Sequence, residues 1–147
     1  MRKHSLLFCL FYLVLSFSGC SSGPQPINYG QDGCALCKMI IIDHHFGAEL
    51  ITSKGKIYKF DSIECMIRYM KSSAASETKF DCMLVTDHSQ PGQLQDANIS
   101  SFLISPGLPS PMGESLSAFM SKDSLQAYLE RFGGKTFTWE EIQQAIR

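Results

Sequence analysis

The sequence predicts an α+β fold, a single compact domain of two related strand-strand-helix halves packed around a common cleft. Three observations carry that expectation. Short runs rich in β-branched and aromatic residues alternate with helix patterns that open on capping residues. At 147 residues and 44% hydrophobic content the chain allows one ordinary domain with a real core. Finally, Gly55-Lys56-Ile57-Tyr58-Lys59-Phe60-Asp61-Ser62-Ile63 returns in kind as Gly134-Lys135-Thr136-Phe137-Thr138-Trp139-Glu140-Glu141-Ile142, and the match extends to Ile67 and Ile146 at a constant offset of 79. Each copy is a glycine turn, an alternating aromatic strand, an acidic helix start and an apolar helix stripe. The likeness is either a duplication or two independent units sharing the same caps and pattern. A duplication would bring Met39 and Met112, which head the two halves, to one cleft.

The first residues concern targeting. Arg2-Lys3-His4 is a short basic region, and residues 6–17 form an apolar run too short for a typical membrane span. Ser18-Gly19-Cys20 then resembles a lipoprotein lipobox, with Phe17 where Leu is commoner and Cys20 as the acylated first residue. Plain secretion with Cys20 as an ordinary thiol is the alternative. The expected boundaries are 1–19 for the signal peptide, 20–33 for a flexible tether rich in Gly, Pro and Ser, and 34–147 for the domain. Cleavage removes two basic residues and Cys9, leaving 11 minus 14, a mature balance of −3. Ser21 carries no Asp-type inner-membrane retention signal, so the periplasmic face of the outer membrane is the expected location. Lys and Arg form no cluster, and nucleic acid is not an expected partner.

The elements follow in order. Met39-Ile40-Ile41-Ile42 is an apolar run expected as a buried strand, and residues 43–47 form a turn. Residues 48–52 and 57–60 read as strands joined by the tight turn Ser53-Lys54-Gly55-Lys56. Asp61 is the expected N-cap of a helix, and Glu64 completes a capping-box pattern. Ile63, Met66, Ile67 and Met70 form its apolar stripe. Residues 71–79 read as loop, 80–86 as strand, 87–92 as turn, 93–101 as lacking any element, and 102–104 as a short strand. Three prolines between 106 and 111 make a rigid loop that delivers Met112-Gly113. Residues 115–120 suit a strand. A helix over 122–132 carries Leu125, Tyr128, Leu129 and Phe132 on one side and stops at Gly133-Gly134. Residues 135–138 are a last strand, and the capping box from Thr138 to Glu141 opens a final helix with Ile142, Ala145 and Ile146.

Candidate chemistry concentrates in Cys34-Ala35-Leu36-Cys37-Lys38-Met39, which holds two thiols and a thioether. In an extended strand Cys37 and Met39 project from one face. Thiolate with thioether is a soft donor set that suits Cu(I) over Mg, Ca or Mn. Met112, on a proline-rich loop, is an odd choice for core packing and the natural second thioether. Cys34 is either a further ligand or half of a Cys34–Cys37 disulfide, the default outside the cytoplasm. Met39 is a ligand or the start of a core run. Cys65 follows a different helix face from its neighbour Met66 and can reach a cleft, whereas Met66 belongs to the stripe. His44 and His45 sit in a turn, where imidazole either completes a three-coordinate site or is solvated; His88 is a weaker candidate. Cys82, in a strand, reads as a small buried hydrophobe. A tetracysteine zinc site from Cys34, Cys37, Cys65 and Cys82 has only half the expected spacing. A thiol-disulfide oxidoreductase using Cys34 and Cys37 would want a helix after the motif, and the run that follows is β-branched. The sequence contains no nucleophile–base–acid set, phosphate loop or dinucleotide fingerprint, so a binding module is expected in place of an enzyme.

Cys37-Lys38-Met39, the Gly-Lys-x-Tyr-x-Phe-Asp-Ser-Ile-Glu-Cys-Met run at 55–66, Thr86-Asp87, Pro111-Met112-Gly113, Ala118-Phe119 and Gly133-Gly134 together resemble the NosL family in kind and order. The resemblance covers about residues 32–146. It implies a lipid-anchored periplasmic copper chaperone that binds one Cu(I) and passes it towards nitrous oxide reductase, with an ABC-type assembly complex as its membrane partner. The family's Cys-x-Met motif falls on Cys37 and Met39, and its Met-Gly motif on Met112. Cys34 is extra to the pattern of some members, which leaves open a second thiol ligand or a disulfide that would silence the site.

Overall fold

The computed structural model describes residues 23–147. Strands β1 (Ala48–Thr52) and β2 (Ile57–Phe60) form a hairpin, and helix α1 (Ile63–Lys71) follows β2 directly. After a short 3-10 turn come β3 (Phe80–Thr86), β4 (Leu94–Asp96) and β5 (Ser101–Ile104), then β6 (Leu116–Phe119), α2 (Lys122–Phe132), β7 (Lys135–Phe137) and α3 (Trp139–Ala145). The strands make two antiparallel sheets, ordered β2-β1-β3-β4 and β6-β5-β7. A parallel bridge between Asp87 and Ala118, with the His88 amide donating to the Ala118 carbonyl at 2.8 Å, joins the end of β3 to the second sheet.

The architecture is the expected α+β one. Both copies of the repeat form an edge strand followed by a helix. Their glycines, Gly55 and Gly134, have φ of 77° and 121°, a region open to glycine at little cost. Phe60, Ile63 and Ile67 from one copy share a core with Trp139, Ile142 and Ile146 from the other. The helix ends meet too. Lys71 donates to the carbonyls of Gln143 and Ile146, and Arg68 Nε to that of Arg147 at 2.8 Å. These cations satisfy carbonyls in the last turn of α3 and just beyond it. Helix α2 has no fully buried residue and covers a smaller cluster of Leu103, Leu108 and Phe119 with its Leu125, Tyr128, Leu129 and Phe132 side.

Four local expectations need correction. Residues 39–42 are no strand: one isolated bridge joins Ile40 to Gly33, Ile41 is fully buried, and Met39, Ile40 and Ile42 are 50%, 51% and 72% exposed. Lys38 at φ 67° turns the chain, closed by bonds from the Cys34 amide to the Met39 carbonyl and from the Lys38 amide to the Cys34 carbonyl. Part of the segment read as a tether is folded, because Ile27 enters the core and the Gly30 amide donates to the Ile41 carbonyl. The N-cap of α1 is Ser62, whose side chain accepts from the Cys65 amide, so Asp61 and Glu64 are released for other partners. Finally, residues 94–99 do form a strand and a 3-10 turn, where Leu-Gln-Asp offers no β-branched signal. The expected leader and the expected lipidation at Cys20 concern residues outside the described ones.

Candidate metal centre

The tight turn 34–39 is tied to the end of β2 by the Ala35 amide, which donates to the Lys59 carbonyl at 2.8 Å. That contact sets the turn against the junction between β2 and α1. The Ser62 cap delays the helix start and leaves Asp61 unwound, and it places Cys65 in the first turn. The result is a group of four side chains. The ligand atoms of Cys34, Cys37, Asp61 and Cys65 all lie within 4.8 Å of one another. Cys34, Asp61 and Cys65 are buried and Cys37 is half-buried.

Hydrogen bonds organise the group before any ion arrives. Cys37 Sγ donates to Asp61 Oδ2 at 3.4 Å, and Asp61 Oδ1 is buried without a partner. The Cys34 thiol is pulled down to about 6, first by the bond it accepts from Cys65 and then by backbone N–H groups of Asp61, Cys37 and Leu36, against the effect of burial. Cys65 is pushed up, chiefly by that same bond to Cys34 and then by burial. Cys37 is raised, mainly by burial. The two shifts are opposite across the Cys34–Cys65 contact, so Cys34 is the more acidic thiol of the pair and Cys65 the less acidic. All four cysteines of the described domain are free thiols.

Above this group is an open cleft of about 320 Å³. Met39, Ile40, Ile42 and Asp43 line one side, Asp61 is shared with the thiol group, and Pro109, Ser110 and Pro111 line the other. The two halves of the molecule thus meet at one cleft. Met112 follows directly, half-buried and packed against the main core. Its loop is fastened to α1 on both sides of it. Ser110 Oγ donates to buried Glu64 and accepts from the Ser115 amide at 2.9 Å, while Arg68 Nη2 donates to Glu114 at 2.6 Å. Glu64 and Arg68 are one helical turn apart, so α1 presents them on one face. The same helix that carries Cys65 therefore positions the loop that carries Met112.

Other candidates are placed elsewhere. His44 stacks on Tyr29 with ring centroids 3.8 Å apart, and His45 Nδ1 lies 3.0 Å from Asp43 Oδ1; neither belongs to the thiol group. Cys82 pairs with Ile51 across β3 and β1, so the tetracysteine zinc set is not assembled. His88 is buried, and that burial holds its imidazole down at about 4, with His45 adding to the effect. A larger cavity of about 390 Å³ beside the β1–β2 turn is lined by Lys54, Lys56, Lys79 and Glu77 and has no sulfur donor. The sequence reading missed Asp61 as a site residue, because an Asp before a helix reads first as a cap. It lies 24 residues from Cys37, and only the offset between the two repeat copies hints at its different role.

Comparison with known proteins gives two findings. Residues 26–147 match the family model described as NosL. The crystal structure of the copper chaperone NosL from Shewanella denitrificans is similar with a TM-score of 0.72 and 25% sequence identity, over 84% of this chain and 98% of that one. No curated protein gives a significant match.

Proposed function

The chain belongs to the NosL family, and from that membership we propose that it is a copper carrier, a binding protein that takes one Cu(I) as cargo and hands it on for nitrous oxide reductase maturation. The observation that carries this reading is the convergence of Cys34, Cys37, Cys65 and Asp61 within 4.8 Å beneath a cleft shared by both halves. Cys34 and Cys37 supply thiolates, Met39 supplies a thioether from the cleft, and Met112, next to the cleft-lining Pro111, supplies the second. Cys65 lowers Cys34 towards its thiolate form, and Asp61 orients Cys37. Soft sulfur donors select Cu(I) over harder ions. An open cleft leaves room for a partner's ligand to attack the ion before the old bonds break. An ABC-type assembly complex is the proposed membrane partner. Acylated Cys20 would hold the carrier at the periplasmic face of the outer membrane. No helix among the described residues is long and apolar enough to cross a membrane.

The thiol oxidoreductase reading fits less well. Such enzymes expose their low-pKa thiol, whereas here Cys34 is 1% exposed and the accessible Cys37 is raised. The test is a Cu(I) titration against a competing chelator under reducing conditions. Wild type should bind one Cu(I) per chain, Cys37→Ser about 100-fold more weakly and Met112→Leu about tenfold more weakly. Wild-type affinity equal to that of the combined Cys37→Ser/Met112→Leu variant would overturn the reading.

A further inference from the structure

A second group of ligating side chains lies outside the thiol site. The β1–β3 register pairs Ala48 with Val85, and continuing it past the strand ends sets His45 opposite His88. Their ring centroids are 5.0 Å apart with planes inclined by 47°. Two imidazoles on one ion, with metal–nitrogen bonds of about 2.0–2.1 Å, place their centroids about 3.2 Å from it and about 5 Å from each other at a tetrahedral angle. His88 is 7% exposed, and its Nδ1 is buried with no hydrogen-bond partner. Such an orphan is costly in an ordinary core. His45 is half-exposed, and Asp43 accepts at its Nδ1, the carboxylate–histidine arrangement that orients a metal-binding imidazole. Both rings line a cavity of about 190 Å³ together with Leu108 and Pro109. Pro109 also lines the thiol cleft, as does Asp43, so the two cavities are neighbours separated by a shared wall.

We propose that His45 and His88, with Asp43 behind His45, form a second metal site that takes a borderline divalent transition ion such as Zn²⁺ or Cu²⁺. Two neutral nitrogens with a carboxylate behind them suit such ions. The nitrogen donors contrast with the sulfur ligands next door, which are the better match for Cu(I). Water completes the coordination, because the protein supplies only two ligands. The site stands on its own geometry and does not require that the thiol group carry copper.

The test adds Zn²⁺ to the full chain and follows the imidazole ¹⁵N resonances of all histidines. In the Cys34→Ser/Cys37→Ser variant, which removes the thiol group as a competitor for Zn²⁺, His45 and His88 should shift together and saturate at one equivalent; in the wild type they should shift together once the thiol group is filled. His88→Gln should abolish the ordered shift of His45 and weaken binding at this site at least about tenfold. His45→Gln, at a half-exposed position that the fold tolerates more readily, should do the same to His88. The amide spectrum reports whether each variant is folded. Rings of His45 and His88 that stay unmoved at millimolar Zn²⁺ would overturn the proposal. So would a His45 shift that persists in folded His88→Gln, since that is surface binding by one histidine.

Discussion

The two copies of the repeat begin alike and end in different chemistry. In the second copy Thr138 caps α3 and Glu141 closes the capping box, so the helix begins at Trp139, the counterpart of Phe60. In the first copy the strand runs through Phe60, and α1 begins at Ile63, three residues later in the shared frame. The cap explains the delay. Lys59 stands where the second copy has Thr138, so the cap moves downstream, where Ser62 takes it in place of its neighbour Asp61. The unwound residue is Asp61, whose counterpart Glu140 is exposed in a helical first turn. Three further exchanges complete the contrast: Glu64 for Gln143, Cys65 for Gln144 and Arg68 for the terminal Arg147. One unit closes its helix onto solvent, and the other opens its helix start onto a thiol group. Where a helix begins decides which side chains are free for chemistry.

Equivalent substitutions in the two copies test that contrast. The largest difference is expected at Cys65 and Asp61. Cys65→Ala removes the neighbour that lowers Cys34, and Asp61→Ala removes the acceptor of the Cys37 thiol; each should weaken Cu(I) binding at least about tenfold in a chelator competition. Gln144→Ala and Glu140→Ala, at the matching exposed positions, should leave binding unchanged. Next comes Glu64→Ala, which strands Ser110 and loosens the loop around Met112. It should cost about 1–3 kcal/mol in urea unfolding and also weaken Cu(I) binding, whereas Gln143→Ala should stay within about 0.5 kcal/mol of wild type. The smallest effect is at the caps. Ser62→Ala and Thr138→Ala should each cost about 1 kcal/mol of stability, but only Ser62→Ala should also disturb copper affinity. Equal copper phenotypes for the two cap variants would show that the delayed helix start has no role.

Elements with a strong local period were legible from sequence. The stripe of α1, the span of α2 and the Thr138–Glu141 capping box need only i, i+3, i+4 spacing and a cap, and each formed as expected. The soft residues Cys34, Cys37 and Cys65 were visible as types. Their geometry was not, for two reasons. Burial of Met39-Ile40-Ile41-Ile42 depends on what covers it, and the left-handed Lys38 turns that run out to the cleft edge. Two adjacent capping residues, Asp61 and Ser62, compete for one helix end, and local pattern does not say which wins. The pairing of His45 with His88 follows only from the β1–β3 register, which the sequence leaves open.

The sulfur environment of the bound ion decides between this reading and its rivals. X-ray absorption at the copper edge of the singly loaded full chain should show Cu(I) in a low-coordinate shell of sulfur alone, with sulfur number falling in Cys37→Ser and in Met112→Leu. A shell dominated by nitrogen or oxygen, or one unchanged by Cys37→Ser, would contradict it and move the cargo away from the thiol group.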